Sequence, residues 1–456
     1  MKQVSQNYKT GAIRLEDVRA PALRSGGVLV KTCYSVISSG TEGMKVREGK
    51  LSYLGKARAR PDQVRKVLGT LRQQGLVATY QKVMNKLDSL TPLGYSLAGE
   101  IIGVGEGAEE FHVGQRVACA GAGYANHAEI NFVPRNLVVP IPNGVLMKHA
   151  AFATVGSIAL HGFRQSQIQL GESVCVIGLG LLGQLLVQIL RAGGARVVGV
   201  DLLEDRCRLA ERLGAMTALK ADDPKLNEMI GRLTGGIGID CVFISAGGTS
   251  NQPVELAIQI ARDRARIVDI GKTRLNLEWN DFYMKEVDIR FARSYGPGRY
   301  DPTYEEMGID YPIGYVRWTE NRNLASFLDL IADGRVILDP IISSVRPFSD
   351  AVQVYEELAE GKGDLLGTLF EYPTGAEVTP AKFPEPKTVI SAAKTHNKVR
   401  LGVIGAGNYA SSMLLPHLRR IDDVELVAVA TTTSLSSENA RRKFGFKNAT
   451  TDYKEF

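Results

Sequence analysis

The chain has 456 residues, of which 44% are hydrophobic and 23% are charged, and its formal net charge is +6. This length exceeds one ordinary hydrophobic core and predicts two or three globular domains. No run of 18 apolar residues occurs and the N-terminal MKQVSQNYKT lacks an apolar signal core, so neither a membrane span nor secretion is predicted. The five cysteines are scattered without metal-ligand spacing, which favours free thiols in a cytoplasmic protein.

Residues 1–145 contain short β-like runs separated by glycines, including GGVLVKTCYSVIS, SLAGEIIGVG and QRVACA. Runs of this length and composition predict a partly closed, β-rich domain. A stretch without this pattern, at residues 45–90, predicts a helical insert within that domain.

The insert is strongly basic. Between Lys45 and Lys86 it holds eleven lysines and arginines against Glu48 and Asp62, a net charge of +9. A solvated helical face and a lip that attracts an anionic substrate both fit this charge. Aromatic residues are sparse there, which argues against nucleic-acid binding. Apolar residues at helical spacing predict a stripe formed by Val64, Val67, Leu68 and Leu71.

Residues 146–295 alternate strand-like and helix-like segments, which predicts a parallel sheet with helices on both faces. The first strand runs into VCVIGLGLLG at 174–183. In a dinucleotide site Gly178 permits the tight turn, Gly180 lets the backbone approach a pyrophosphate, and Gly183 packs the helix on the strand. Leu181 and Leu182 then begin a helix whose first amides face the phosphates.

The second strand of this unit, RVVGVD, ends at Asp201, which lies 18 positions beyond Gly183. A carboxylate at that distance accepts hydrogen bonds from the adenosine ribose and repels a 2'-phosphate, so NAD is predicted in preference to NADP. Gly271, after the strand-like ARIVDIG, is a further predicted cofactor contact. A glycine turn that holds no cofactor is the alternative.

Residues 296–372 end in another β-like run, GTLFEY, which is predicted to return to the first domain. Proline-rich residues 373–397 predict an extended linker. A second strand and glycine turn, VRLGVIGAGNYA at 399–410, predict another dinucleotide unit at 398–456, with Gly405, Gly407 and Ala410 as its contacts. Its second strand ends in threonines, so its preference between NAD and NADP stays open.

Taken in order, these motifs resemble the medium-chain dehydrogenase/reductase family, the zinc alcohol dehydrogenase-like proteins, over the first 372 residues. SGTE at 39–42 stands where the family has Cys-Gly-Thr-Asp, and GYSLAGEIIGVG stands where it has Gly-His-Glu-x-x-Gly. Residues 398–456 resemble the opening of a Gfo/Idh/MocA-type oxidoreductase domain. The resemblance implies an α/β fold: a GroES-like β-rich catalytic domain, a doubly wound parallel Rossmann sheet and the start of a second Rossmann domain.

The tandem order, with RSYGPGRYDPTYEE and GYVRWTENRN, is similar to bi-domain oxidoreductases often associated with surface-polysaccharide and sugar metabolism. The resemblance implies a dehydrogenase that acts on an alcohol or carbonyl of a polar substrate, with a sugar or nucleotide-sugar as the implied class. It also implies a homo-oligomer joined through a sheet edge. The Glu-Lys-Pro motif that completes a Gfo/Idh/MocA enzyme does not occur before Phe456, so we expect the second unit to be incomplete.

Three positions that hold the catalytic zinc in the family align here with Ser39, with Tyr95 and Ser96, and with Thr154. Neutral hydroxyls are poor zinc ligands beside thiolate, imidazole or carboxylate. We therefore expect a zinc-independent enzyme without a metal site. His127 is expected to be a surface or strand histidine rather than a ligand.

Without a Lewis acid, another group must polarise the substrate oxygen or relay its proton. Tyr95 is the candidate donor, Ser39 and Thr41 extend a hydroxyl relay, and Glu42 orients its partners. The alternative is that Tyr95 only fills space and that the chain is a catalytically inactive NAD-binding scaffold or regulatory protein.

Substrate contacts are expected in a glycine-proline loop that contains Tyr295, Arg299 and Tyr300. Arg299 is suited to pair with a phosphate or carboxylate group of the substrate. A plain surface loop is the alternative reading of this segment.

Overall fold

The computed structural model of the chain describes residues 1–361, 365–373 and 398–455. The predicted linker, 373–397, lies outside the described residues apart from its first position. Within the described ranges, no helix is both long and apolar enough to span a bilayer.

The first part of the chain is mostly β-structure with three helices inserted after the third strand. Its elements are β1 (Lys2–Asn7), β2 (Ile13–Asp17), β3 (Gly27–Ile37), α1 (Ser39–Lys50), α2 (Tyr53–Ala59), α3 (Pro61–Leu87), β4 (Leu90–Pro92), β5 (Ser96–Val104), β6 (Arg116–Ala120), β7 (Ile130–Pro134) and β8 (Val138–Pro140). Strand β1 lies between β2 and β4 in a small sheet, and β3 pairs with both β5 and β7 in a larger one.

Helix α3 does not bury the predicted apolar stripe. Leu68 is 53% exposed, and Val64 and Val67 are each 36% exposed. The helix also changes direction at Gly75, where φ is +80°. Three helices, α1 to α3, occupy the region of the predicted insert, and none of Val64, Val67, Leu68 and Leu71 joins a described core cluster.

The middle of the chain alternates strands and helices. Its elements are α4 (Met147–Ala150), α5 (Ala153–Ser166), β9 (Ser173–Ile177), α6 (Leu181–Ala192), β10 (Arg196–Asp201), α7 (Glu204–Arg212), β11 (Thr217–Lys220), α8 (Leu226–Leu233), β12 (Ile239–Ile244), α9 (Gln252–Ile260), β13 (Ala261–Asp269), α10 (Trp279–Met284) and β14 (Asp288–Phe291). The strands form one six-stranded parallel sheet in the order β11-β10-β9-β12-β13-β14. All its strands end at one edge, which is where ligands bind in open α/β sheets.

The chain then returns to the first sheet. The elements that follow are α11 (Pro302–Glu305), α12 (Glu320–Ala332), β15 (Ile342–Pro347), α13 (Ala351–Glu360) and β16 (Gly367–Glu371). Strand β16 pairs antiparallel with β3, with Leu369 opposite Val36, and completes a sheet that runs β15-β16-β3-β5-β6-β8. Helix α5 packs against both α6 and α12 and also touches β5 and β6, so it joins the two large sheets.

The last described segment has its own small parallel sheet. Its elements are β17 (Val399–Ile404), a π-helical turn (Ala410–Leu414), α14 (Leu415–Leu418), β18 (Val424–Ala430), α15 (Ser434–Phe444) and β19 (Asn448–Thr450). The strand order is β17-β18-β19. This segment contacts the N-terminal part of the chain, where Arg442 forms a 2.6 Å ion pair with the buried carboxylate of Glu16.

Candidate active site

The turn after β9 has a shape that only glycine allows. Gly178 has φ of +94°, and a Cβ there would lie 2.6 Å from a backbone nitrogen of the segment after β12. A Cβ at Gly183 would lie 2.0 Å from the carbonyl oxygen of Gly178. A Cβ at Gly180 would meet nothing within 4 Å. Open space therefore lies in front of the first turn of α6, at Leu181 and Leu182, where backbone amides attract an anion.

Asp201 ends β10 beside this turn and is 8% exposed. Its carboxylate accepts hydrogen bonds from the backbone nitrogens of Leu179 at 2.6 Å and Leu203 at 2.9 Å. The Arg206 guanidinium lies 3.8 Å from the same carboxylate. Since a carboxylate has about four lone-pair sites, acceptors remain for a further donor such as a ribose hydroxyl. Asp201 thus also holds the glycine turn in place, a role that the spacing alone did not predict.

Gly271 lies at the same edge, after β13. A Cβ there would lie 2.0 Å from the carbonyl oxygen of Ala246, so glycine is required for the two strand ends to approach. Asp269, at the end of β13, is buried, and its Oδ1 has no hydrogen-bond partner among the described residues. Burial raises the pKa of Asp269 to about 6. Its carboxylate was not anticipated, because a single acid at a strand end carries no distinctive pattern.

Tyr95 precedes β5 and is 8% exposed. The side-chain hydroxyls of Ser38 and Thr41, at the start of α1, interact with its phenol and lower its pKa, against the larger effect of burial. Burial, and then the charge of Glu42, raise the pKa of Tyr95 to about 12, so the phenol stays protonated at neutral pH. The structure therefore brings Tyr95 and Thr41 together, and the serine in contact is Ser38 rather than its half-buried neighbour Ser39.

Glu42 is buried in a polar network beneath Tyr95. Its Oε2 accepts a hydrogen bond from the backbone nitrogen of Gly94 at 3.2 Å and also contacts the hydroxyl of Tyr355. His127 Nε2 lies 3.2 Å from the same oxygen, and its Nδ1 lies 2.7 Å from the hydroxyl of Ser35. Burial opposes ionisation of Glu42, but the opposite charge of His127 and these hydrogen bonds hold its pKa below the usual range.

The expectation that His127 lies on the surface or in an ordinary strand position was wrong. Its side chain is 0% exposed and packs edge-on against Phe370 with ring centres 5.1 Å apart. The reason is long-range: β16, which carries Phe370, returns to cover it, and Glu42 is 85 positions away in the chain. No local signal in the sequence indicates that pairing.

The other hydroxyl groups at the positions that align with the family's zinc ligands form hydrogen bonds with the backbone. Thr154 donates to the carbonyl oxygens of Tyr95 at 3.2 Å and Cys119 at 3.4 Å. Ser96 donates to the carbonyl oxygen of Ala151 at 2.6 Å. These two side chains therefore fasten α5 to the strands of the first sheet.

The loop after β14 contains the predicted substrate contacts. Arg299 forms a 2.6 Å ion pair with Glu305, and its guanidinium carbon lies 4.0 Å from the centre of the Tyr300 ring. The charge of Arg299 is thus already balanced by Glu305, and its pairing with an anionic substrate stays a prediction. Tyr300 is 59% exposed, whereas Tyr295 is 3% exposed and its hydroxyl lacks a partner in the described structure.

Glu320, the first residue of α12, lies in the same region and was not predicted. It is 0% exposed, and neither carboxylate oxygen has a hydrogen-bond partner in the part of the chain that the structure describes. Burial, followed by the charge of Glu305, raises the pKa of Glu320 to about 9. At neutral pH it is therefore a carboxylic acid with a proton to donate.

In the C-terminal unit, the turn after β17 has a similar backbone. Gly405 has φ of +90°, and a Cβ at Gly405 or at Gly407 would meet nothing within 4 Å. The Gly405 nitrogen donates to the carbonyl oxygen of Ala430 at 2.8 Å. Ala410 begins a π-helical turn.

Comparison with known proteins identifies the central region. Residues 182–308 match the family model described as zinc-binding dehydrogenase. Over these residues the chain is similar to zinc-type, alcohol dehydrogenase-like proteins. The chain is 26% identical over 300 residues to 2-dehydro-3-deoxy-L-galactonate 5-dehydrogenase of Pseudoalteromonas atlantica, a match that covers 59% of this chain and 80% of the relative. It is 25% identical over 279 residues to D-guloside 3-dehydrogenase of Escherichia coli, covering 59% and 73% respectively.

Solved structures agree on the fold. Galactitol-1-phosphate dehydrogenase from Escherichia coli superposes with a TM-score of 0.62 at 19% identity, over 81% of this chain and 100% of that one. The predicted α/β fold with a parallel sheet is confirmed, and so is the prediction of a dehydrogenase.

The prediction of a zinc-independent enzyme is contradicted by the family match, because residues 182–308 match a model described as zinc-binding dehydrogenase. Among the described residues, however, no three histidine, cysteine, aspartate or glutamate side chains lie close enough to hold a metal ion. At the aligned positions Ser39, Tyr95 and Thr154 supply only hydroxyls. These side chains do not fit zinc.

Proposed function

We propose that this chain is an NAD-linked dehydrogenase that acts on a CH–OH or carbonyl group of a sugar-like or polyol substrate. The observation that carries the proposal is the glycine turn at 178–183, with open space at Gly180 and the Asp201 carboxylate at the next strand end. A carboxylate there suits the ribose hydroxyls of NAD and repels the 2'-phosphate of NADP.

The substrate class is supported by what the relatives act on. Their printed names give a deoxy-galactonate, a guloside and, for the solved structure, galactitol 1-phosphate. All three are polyhydroxylated carbon chains or rings. The hydroxyl groups of Tyr95 and Thr41 suit ligands of this kind.

In the proposed reaction the cofactor, when bound, supplies or accepts a hydride. The protein's own contribution is to place the substrate carbon and to manage the proton on its oxygen. Tyr95, kept protonated by burial, is proposed to donate a hydrogen bond to that oxygen, and Thr41 links the phenol toward solvent. The contact between Glu42 and His127 fixes the start of α1, so that Thr41 stays close to the Tyr95 phenol.

A cofactor titration tests the proposal. Binding of NADH and NADPH to the purified full chain is followed by nicotinamide fluorescence, with Gly180→Asp as the matched variant that fills the open space with a negative charge. NADH should bind the parent protein more tightly than NADPH, and Gly180→Asp should bind one equivalent of NADH fewer than the parent. Equal binding to both proteins would refute the site. Turnover is then measured with a panel of polyols, aldonates and their phosphates, and activity with none of them would favour the inactive scaffold.

We also propose that Gly405 and Gly407 belong to a second dinucleotide-binding unit, of the Gfo/Idh/MocA type that the sequence resembles. The positive φ at Gly405 and the open space at both glycines support it. The NADH stoichiometry of the full chain tests it, with Gly407→Asp as the probe variant. Two equivalents falling to one would support the second site, and an unchanged stoichiometry would refute it.

Two copies of the chain are proposed to pair along β14, the free edge of the parallel sheet. Phe291 on this strand is 62% exposed, and the stacked rings of Trp279 and Tyr283 beside it are 66% and 62% exposed. An open apolar edge of this kind favours strand pairing with a partner. Light scattering should give a dimer that Phe291→Lys dissociates; a parent monomer would refute the pairing.

A further inference from the structure

Three arginines near the loop at 295–300 have no carboxylate partner in the described parts of the chain. Arg164 lies on α5 and bonds only to neutral groups, Asn323 at 2.8 Å and Ser326 at 3.2 Å. Arg293, two residues after β14, donates to the backbone carbonyl of Arg299 at 3.1 Å. Arg317 precedes α12 and its guanidinium only stacks on an indole ring.

These guanidinium groups are held close to one another. The guanidinium carbons of Arg164 and Arg317 lie 3.3 Å and 3.9 Å from the centre of the same Trp318 ring. Arg164 and Arg293 both act electrostatically on the buried side chain of His161. Burial, and then these two charges, lower the pKa of His161 to about 4, so the imidazole between them is neutral.

Within the described ranges, none of the three arginines forms an ion pair. Glu305 is already paired with Arg299, and Glu320 lies buried without hydrogen-bond partners. Like charges that are kept together repel each other, and planar guanidinium groups are the side chains best suited to grip phosphate or carboxylate oxygens. An oxyanion is the ligand that would relieve this repulsion.

The cluster also lies near the edge of the parallel sheet at which its strands end. Arg293 follows the carboxyl end of β14, and Gly178 and Gly271 follow the carboxyl ends of other strands in the same parallel sheet. Arg293 and Arg317 are exposed, so a ligand can reach them from solvent. The unpartnered hydroxyl of Tyr295 offers a neutral donor in the same loop.

We propose that Arg164, Arg293 and Arg317 bind a phosphate or carboxylate group on the substrate, away from the carbon that is oxidised. This deepens the proposed function and rests on it only for the identity of the molecule that carries the anion. It assigns the anion to these residues instead of to Arg299.

Binding of inorganic phosphate and of malonate to the NADH-saturated full chain tests the proposal, by calorimetry at low ionic strength. Saturating NADH keeps either anion out of the glycine turn at 178–183. The variants are Arg293→Gln and Arg317→Gln, with Arg164→Gln as a third. Arg232→Gln, which removes an exposed arginine paired with Glu228 on α8, is the matched control.

We expect one of the two anions to bind the parent protein and the control alike, and each of the first two variants to weaken it at least tenfold. If phosphate binds more tightly than malonate, the anionic group of the substrate is a phosphate ester. If malonate binds more tightly, it is a carboxylate. Arg164→Gln also loses two hydrogen bonds, but Arg317→Gln loses none, so a folding defect in the former leaves the test intact. No binding of either anion, or equal binding to all variants, would overturn the proposal. Failure of NADH itself to bind would instead refute the proposed function.

Discussion

Replacement of Glu320 by glutamine should change how stability depends on pH. The folded protein holds the Glu320 proton up to a pKa of about 9, whereas the unfolded chain releases it near 4.5. Between these values the folded state binds one more proton than the unfolded state. The stabilisation from this proton is therefore complete below pH 4.5 and is lost as the pH rises toward 9, by up to about 1.4 kcal/mol per pH unit.

Between pH 6 and pH 8 the parent protein should lose as much as about 2.7 kcal/mol through this one group. Glu320→Gln has the same shape and no titrating proton, so it should gain that amount relative to the parent over the same interval. Trp318 lies two residues from the substitution and gives a local fluorescence signal, which a Trp279→Phe background isolates. Urea unfolding of both proteins at pH 6, 7 and 8 measures the difference.

Glu228→Gln, at an exposed position on α8, is the control and should show no such trend. If the difference between Glu320→Gln and its parent is the same at pH 6 and pH 8, Glu320 is ionised in the folded protein. The assignment of a buried carboxylic acid would then be wrong.

Three further changes test the cofactor turn and the hydroxyl pair. Asp201→Asn should weaken NADH binding by about 1.5–3 kcal/mol, which is the contribution of a hydrogen bond to a charged group. The ratio of NADH affinity to NADPH affinity, measured by fluorescence titration, should fall. An unchanged ratio would contradict the role of Asp201. Gly183→Ala places a methyl group 2.0 Å from the Gly178 carbonyl oxygen and should cost about 1–3 kcal/mol in unfolding experiments as well as NADH affinity. Tyr95→Phe should lower kcat by about 10²- to 10⁴-fold while NADH affinity stays unchanged. If the variant and the parent protein have the same kcat in stopped-flow and steady-state assays, Tyr95 is only a packing residue.

The parts of this fold that could be predicted are those in which neighbouring residues carry the signal. The glycines at 178, 180 and 183 and the acid at 201 lie within one strand-helix-strand unit, and their spacing alone predicts how they meet. The parallel sheet follows from the alternation of apolar strands with amphipathic helices. The ion pair of Arg299 is also local, since its partner Glu305 is only six residues away in the chain.

Other features depend on contacts that no local pattern records. His127 meets Glu42 across 85 positions, and Tyr355 meets Glu42 across 313. Glu320 is buried because α12 packs beside the loop after β14, where its backbone nitrogen bonds to Pro297. A histidine or glutamate in such a place has the same sequence signature as one on the surface.

Strand β16 has a consequence for how the molecule is made. The sheet around β3 lacks this strand until residues 367–371 have been synthesised. By then all six strands of the parallel sheet, which lie between β3 and β16 in the chain, have already been synthesised. The sheet around β3 therefore stays incomplete, whereas the parallel sheet can form from strands that are closer together in the chain. Pairing between strands that are far apart in sequence slows folding. During synthesis on the ribosome, the later-encoded segment thus completes the earlier-encoded one.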